Sequence, residues 1–199
     1  RLALEVSPIN GISKEAVLFQ FLICLSTLCA QKFYYSIGGK KIHAADYLVL
    51  VGTTGSSKKG TSFSDVKWFF DQYYPEFTSS KLKTGVNSGE GLINCIRNKV
   101  VGTDIDKRTG KEIEAIKDEG ALSKIVLFLE TEFSRLLKAG KRDGSTVTEI
   151  YRNAWDGVPL EINTSQRSIR STDYCVSLIA HITPKELKSL VSDIDSSNG

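Results

Sequence analysis

The sequence predicts an α/β domain built on a largely parallel sheet flanked by helices. Three observations carry that expectation. The apolar runs Leu48–Val51, Ile125–Leu129 and Tyr174–Ala180 have the length and continuity of strands buried on both faces. Segments with apolar residues at helical spacing follow them. Strand and helix signals alternate along the chain, with no internal repeat, as βαβ units require.

At 199 residues the chain holds one good-sized core, so a single domain over 1–199 is expected. Within it, 1–45 reads as a helical lead-in and about 100–120 as a charged insertion. A hydrophobic content of 41% and a charged content of 25% are those of a soluble globular protein. The net charge of +3 permits nucleic-acid contact without demanding it. The four cysteines show no C-x-x-C spacing and the two histidines lie far apart, which argues against a zinc set and for reduced thiols in a cytoplasmic protein. The stretch Val17–Ala30 is interrupted by Gln20, Ser26 and Thr27 and is too short for a bilayer, so it reads as a buried helix and no membrane is expected. The chain opens on Arg1 and has no methionine, which suggests a fragment of a longer protein.

Taken in order, Ser13 is placed to cap a first helix running to about Gln31, with Val17, Phe21, Leu25 and Leu28 on one face. Phe33–Ile37 is a short strand closed by a Gly38-Gly39 turn. After the Leu48–Val51 strand, Val66, Phe69, Phe70 and Tyr73 mark a helix that Pro75 ends. Lys83–Asn87 reads as a strand running into Ser88-Gly89-Glu90-Gly91 and a helix through Leu92, Ile93 and Ile96. The charged segment that follows reads as a solvated hairpin or surface insertion; Asp104-x-Asp106 superficially resembles a calcium loop, but its glycine is late and Ala115 stands where the final Glu belongs. Helices follow from Phe133 and from Thr146-x-x-Glu149, which has the form of a capping box. Thr183-Pro184-x-Glu186 opens a last helix.

The most informative segment is Gly52-Thr-Thr-Gly55-Ser-Ser-Lys58-Lys59-Gly60-Thr61-Ser62, between a buried strand and a helix. A polyphosphate needs close backbone approach, a cation and a hydroxyl for its Mg²⁺, all at the end of one strand. The standard spacing from Gly52 puts Lys58 at the phosphate lysine but Lys59 at the hydroxyl. Shifting the frame makes Lys59-Gly60-Thr61 the working end and supplies both cation and hydroxyl, with Ser62 as a second hydroxyl. A glycine-rich turn with no ligand is the plain alternative.

Ligands of open α/β sheets sit at the carboxyl ends of the strands. Ile-Val-Leu-Phe-Leu-Glu130 has the form of a Walker B strand with Glu in place of Asp, and Glu132 is a second carboxylate for metal or water. Both acids equally suit the start of a helix. His181 ends an apolar strand, as a γ-phosphate sensor or as a core histidine. Glu90 is flanked by glycines, near a nucleotide or in a tight turn. Arg167 and Arg170 read as a solvated loop, and Trp155-Asp156-Gly157 as a helix end anchored in the core. Lys32, Lys40 and Lys41 interleave with Phe33, Tyr34 and Tyr35; this is either a single-strand nucleic-acid surface or, the simpler reading, an amphipathic strand.

The strings Leu-Val-Leu-Val-Gly…Lys-Lys-Gly-Thr-Ser, Asn-Ser-Gly-Glu-Gly-Leu-Ile, Leu-Glu-Thr-Glu-Phe, Asn-Ala-Trp-Asp-Gly and Ala-His-Ile-Thr, in that order, resemble a P-loop domain family found in phage, plasmid and genomic-island primase-helicase-like replication proteins. The resemblance spans most of 12–199. It implies a RecA-like P-loop fold, possibly truncated at its C-terminus, with ATP and Mg²⁺ as cofactors. By motif, Lys59, Gly60, Thr61 and Ser62 would form the nucleotide loop, surrounded by Glu90, Glu130, Glu132 and His181. The expected function is ATP-dependent work on single-stranded DNA by a homo-oligomeric helicase or primase-helicase. The alternative is a degenerate nucleotide- or DNA-binding module without turnover.

Overall fold

The computed structural model describes residues 12–30, 32–53, 58–163 and 168–191. Helix α1 (Lys14–Cys29) begins at Ser13, whose hydroxyl accepts from the Ala16 N–H at 3.2 Å. Its buried face carries Ala16, Val17, Gln20, Ile23, Cys24 and Thr27. That face is rotated from the expected one, because the two polar residues in the stripe find partners inside and Leu25 turns outward. A hairpin of β1 (Tyr34–Ile37) and β2 (Lys40–His43) follows, then β3 (Tyr47–Val51). Helix α2 (Lys59–Tyr73) stops just before Pro75, and a single π-helical turn (Phe77–Lys81) leads into β4 (Leu82–Thr84).

Helix α3 (Gly89–Cys95) is followed by a second antiparallel hairpin, β5 (Val100–Ile105) and β6 (Glu112–Asp118), formed by the charged segment. Arg97 clamps its base with two bonds to the Asp118 carboxylate, at 2.9 and 3.0 Å. The remaining elements are β7 (Ile125–Glu130), α4 (Phe133–Gly140), α5 (Val147–Asp156), the β8 (Leu160–Asn163) and β9 (Ser168–Ser171) hairpin, β10 (Cys175–Ile182) and α6 (Pro184–Val191).

Four strands form the main sheet in the order β3-β10-β7-β4, and every pairing is parallel. Because side chains alternate along a strand, each strand feeds two cores. Leu127 and Ile179 pack with Val17, Cys24, Phe63, Val66 and Phe70 of α1 and α2 on one face. Val126, Phe128, Val176, Leu178 and Ala180 pack with Leu92, Leu136, Ile150 and Tyr151 of α3–α5 on the other. The architecture is therefore the expected helix-flanked parallel α/β sheet. Among the described residues β3 is an edge strand, not the central one its apolar run suggested, and Val49 and Val51 are exposed. No helix among the described residues is long and apolar enough to cross a membrane.

Candidate phosphate-binding site

The strand order creates a crevice. From β3 the chain passes to α2 on the α1 side of the sheet, whereas from the adjacent β10 it passes to α6, which packs on α4 on the opposite side. Neighbouring strands that send their chains to opposite faces leave a gap at their carboxyl ends, where α/β proteins bind ligands. Here the gap is a cavity of about 720 Å³. Its walls come from Thr53, Lys58, Lys59, Gly60 and Thr61 on one side, and from Glu132, Arg135, Lys138, His181 and Glu186 on the other.

Lys58 adopts a left-handed conformation (φ 43°) immediately before α2, and its own side chain makes no capping bond to the helix start. The first N–H groups of α2, on Lys59, Gly60 and Thr61, lie before the helical ladder begins, so they and the helix dipole present positive potential to the cavity. The Lys59 ammonium folds back onto the Gly52 carbonyl. Burial lowers its pKa, and the Glu186 carboxylate opposes that shift. Glu186 is itself held below the usual carboxylate range by the Thr183 hydroxyl at 2.7 Å and the Ser134 hydroxyl at 3.0 Å. Arg135 lies 3.7 Å from Glu132, whose carboxylate stands at the rim before α4. With Lys58, Lys59, Arg135 and Lys138 against Glu132 and Glu186, cations outnumber acids on the cavity wall.

Of the candidates singled out in the sequence, Lys58, Lys59, Gly60, Thr61, Glu132 and His181 line this one cavity. Gly52 meets it through its contact with Lys59, and Gly55 lies outside the described residues. Ser62 is wholly buried beneath the loop and donates to the Lys59 carbonyl at 2.7 Å. Glu130 points to the other face of the sheet, is 6% exposed, and accepts the Val86 N–H at 3.1 Å. Burial raises its pKa, and its bonds to the Val86 and Gly85 backbone offset part of that rise. Glu90 is exposed at the start of α3 and borders a different depression, beside Arg142 and Thr146. Its glycine neighbours have packing reasons. A Cβ on Gly89 would lie 2.6 Å from Thr146 Oγ1, so this glycine lets α3 close on α5, and Gly91 donates its N–H to the Ser88 cap.

Gln20, Arg135, Lys138 and Glu186 were not singled out as site residues. Gln20 is fully buried in α1 and ties the site together: its Nε2 donates to the Ala16 carbonyl at 3.0 Å and to Ser62 Oγ at 2.7 Å. A carbonyl only accepts, so the Gln20 amide orientation is set and its Oε1 faces His181 Nε2 at 3.0 Å. His181 therefore carries its proton on Nε2. Burial first, and the Lys59 charge second, lower its pKa to about 4, and the ring is neutral near pH 7. The signal for Gln20 was present in the sequence, as a polar break in an otherwise apolar helix.

Among the described residues no group of three or more His, Cys, Asp or Glu side chains is placed to hold a metal by itself. No protein-family model matches this chain, and neither does any curated protein.

Proposed function

We propose that this chain is the ATP-binding domain of a mobile-element DNA replication protein, of helicase or primase-helicase type, which works as an oligomer on single-stranded DNA. The observation that carries the nucleotide reading is the start of α2, bearing Lys58, Lys59, Gly60 and Thr61, opening into a cation-rich cavity at the β3/β10 crevice. A volume of about 720 Å³ is of the size that small-molecule ligands occupy. The sheet order, in which β10 separates the loop strand from the acid-bearing β7, is compatible with a RecA-like fold. The wider setting in DNA replication rests on the motif resemblance alone.

In this reading Lys59 leaves the Gly52 carbonyl for the phosphates, while Arg135 and Lys138 meet them from α4. Mg²⁺ is held mainly by substrate phosphates and one or two protein oxygens. The Thr61 hydroxyl and the Glu132 carboxylate, both on the cavity wall, suit that role. Mg²⁺ would neutralise charge on the phosphates. The test is calorimetric titration of Mg·ATP into wild type and Lys59→Ala. Binding lost in the variant supports the reading, and no binding by folded wild type removes it.

One observation favours the second reading, a nucleotide- or DNA-binding module without turnover. Glu130, the Walker-B-like acid, is committed to the Gly85–Val86 backbone and faces away from the cavity. Glu132 is then the carboxylate left to activate water. ATP binding with no hydrolysis, in wild type and Glu132→Gln alike, would decide for the module.

A further inference from the structure

The β1–β2 hairpin departs from the amphipathic strand its sequence suggested. All four residues of β1 are exposed, so neither of its faces is buried. Phe33, Tyr34 and Tyr35 are 63%, 50% and 59% exposed. Trp155, expected in the core, is 51% exposed at the end of α5 and meets Tyr47 edge-on, with ring centroids 5.0 Å apart. Tyr35 and Trp155 border the same cavity, about 260 Å³, floored by Ala45, Ala154, Cys175 and Val176. Lys41 stands on its rim and lies 4.7 Å from the Tyr34 ring centroid, and Lys32 is exposed at the hairpin base. His43 is spoken for, since its Nδ1 donates to the Ala30 carbonyl at 2.7 Å. Asp156 is the acid on the rim.

Exposed rings beside lysines on a small hairpin are costly to leave in water and have little packing value to the fold. They match what single-stranded nucleic acids need: π-faces for bases, cations for phosphates and no base-specific reader. Asp156 is compatible with a base, because a carboxylate accepts from a base N–H such as that on thymine N3. We propose that single-stranded DNA binds across this hairpin, with one base entering the cavity to stack on Tyr35 and Trp155 while Lys32 and Lys41 meet flanking phosphates. The surface lies at the opposite end of the sheet from the phosphate cavity. Cys175 and His181, at the two ends of β10, are separated by six residue rises, roughly 20 Å. The proposal uses the DNA partner of the proposed function but not its nucleotide site, and the two fail separately.

The test is fluorescence anisotropy of a labelled oligo-dT, combined with Trp155 fluorescence in a Trp68→Phe background. Binding should quench Trp155 and weaken with salt. Tyr35→Ala and Trp155→Ala should each weaken it roughly 5- to 100-fold, the range of one lost base stack. Lys41→Glu should weaken it and flatten the salt dependence. Lys59→Ala should leave it unchanged, and excess dTMP should not compete. Tyr35 is exposed, so Tyr35→Ala should melt with wild type, and Trp155→Leu, which keeps apolar bulk against Tyr47, separates a lost base stack from lost packing. Binding that survives the double aromatic variant overturns the proposal. So does DNA binding lost only in Lys59→Ala, or sedimentation showing that Tyr35→Ala dissociates a dimer of this chain.

Discussion

The proton state of His181 gives a prediction that tests the buried network without any ligand. The perturbation is acid. His181 is 3% exposed, and its pKa falls from an ordinary 6.5 to about 4 through burial and the Lys59 charge. A folded pKa below the unfolded one means that the unfolded chain takes the proton first. Neutral His181 therefore contributes its stability fully above pH 6.5 and loses it as pH falls from 6.5 towards 4. Linkage between those two pKa values puts the loss at about 2 kcal/mol at pH 5 and about 3 kcal/mol at pH 4. Carboxylates also titrate in this range, so the measured quantity is a difference. Urea unfolding of wild type and of His181→Gln, which keeps a polar group but does not titrate, is compared at pH 7, 5 and 4.5. Wild type should lose about 2 kcal/mol relative to the variant by pH 5. Lys59→Ala should make that loss smaller, because removing the nearby charge raises the folded pKa of His181 towards its unfolded value. A difference that is flat with pH would mean that His181 is not a buried neutral imidazole, and the tautomer argument through Gln20 would fall with it.

Gln20→Leu leaves the His181 Nε2–H without its acceptor and should destabilise by about 1–3 kcal/mol in urea melts, whereas Gln20→Glu should restore an acceptor and raise the pH at which His181 titrates, read by NMR of the imidazole. Glu130→Gln keeps an oxygen for the Val86 N–H and removes the burial of charge. Its stability at pH 7 should equal or exceed wild type, since a raised carboxyl pKa is a contribution present at low pH and lost as pH rises through it. Glu130→Leu should cost about 1–3 kcal/mol, because the buried N–H then has no acceptor. Gly89→Ala should lower the melting temperature, at about 1–3 kcal/mol, as α3 is pushed away from Thr146 and Ile150.

The parallel sheet was legible because β7 and β10 are unbroken apolar runs whose alternate residues fill two cores, a pattern that leaves few alternatives. The loop cations and His181 were legible for a related reason: residues at the carboxyl ends of adjacent strands converge whatever the loops do. Glu130 was misleading. It ends the same strand as a Walker B acid would, but residue parity puts it on the face of Val126 and Phe128, away from His181 on the Ile179 face. Parity was readable from the sequence, yet which face carried the loop helix was not. β3 misled in the opposite sense. An apolar strand reads as central, and only the pairing order shows that one of its edges is open among the described residues. Lys138, Arg135 and Glu186 escaped notice because charged residues on short helices are ordinary surface until two helix starts are brought together.

The segment read as a helical lead-in has a larger part than that. Helix α1 packs against α2 and one face of the sheet, touching its strands β3, β7 and β10, and supplies Val17, Ile23 and Cys24 to the core on that side. Its Gln20 hydrogen-bonds to both walls of the crevice, to Ser62 in α2 and to His181 on the neighbouring strand. The walls also meet along the β3–β10 ladder, whose last pairs are His181 with Leu50 and Ile182 with Val51, and in the core where Phe63 and Val66 of α2 pack with Ile179 of β10. A shift of α2 caused by ligand at Lys59 must therefore strain the Gln20–Ser62 bond or carry α1 with it. Movement at the cavity would reach the outer surface of α1, where Leu18, Phe19 and Leu22 are exposed. Hydrogen exchange of α1 amides, with and without Mg·ATP, reads that coupling directly. Protection that changes in wild type but not in Gln20→Leu assigns it to this side chain, and equal changes in both would assign it to helix packing instead.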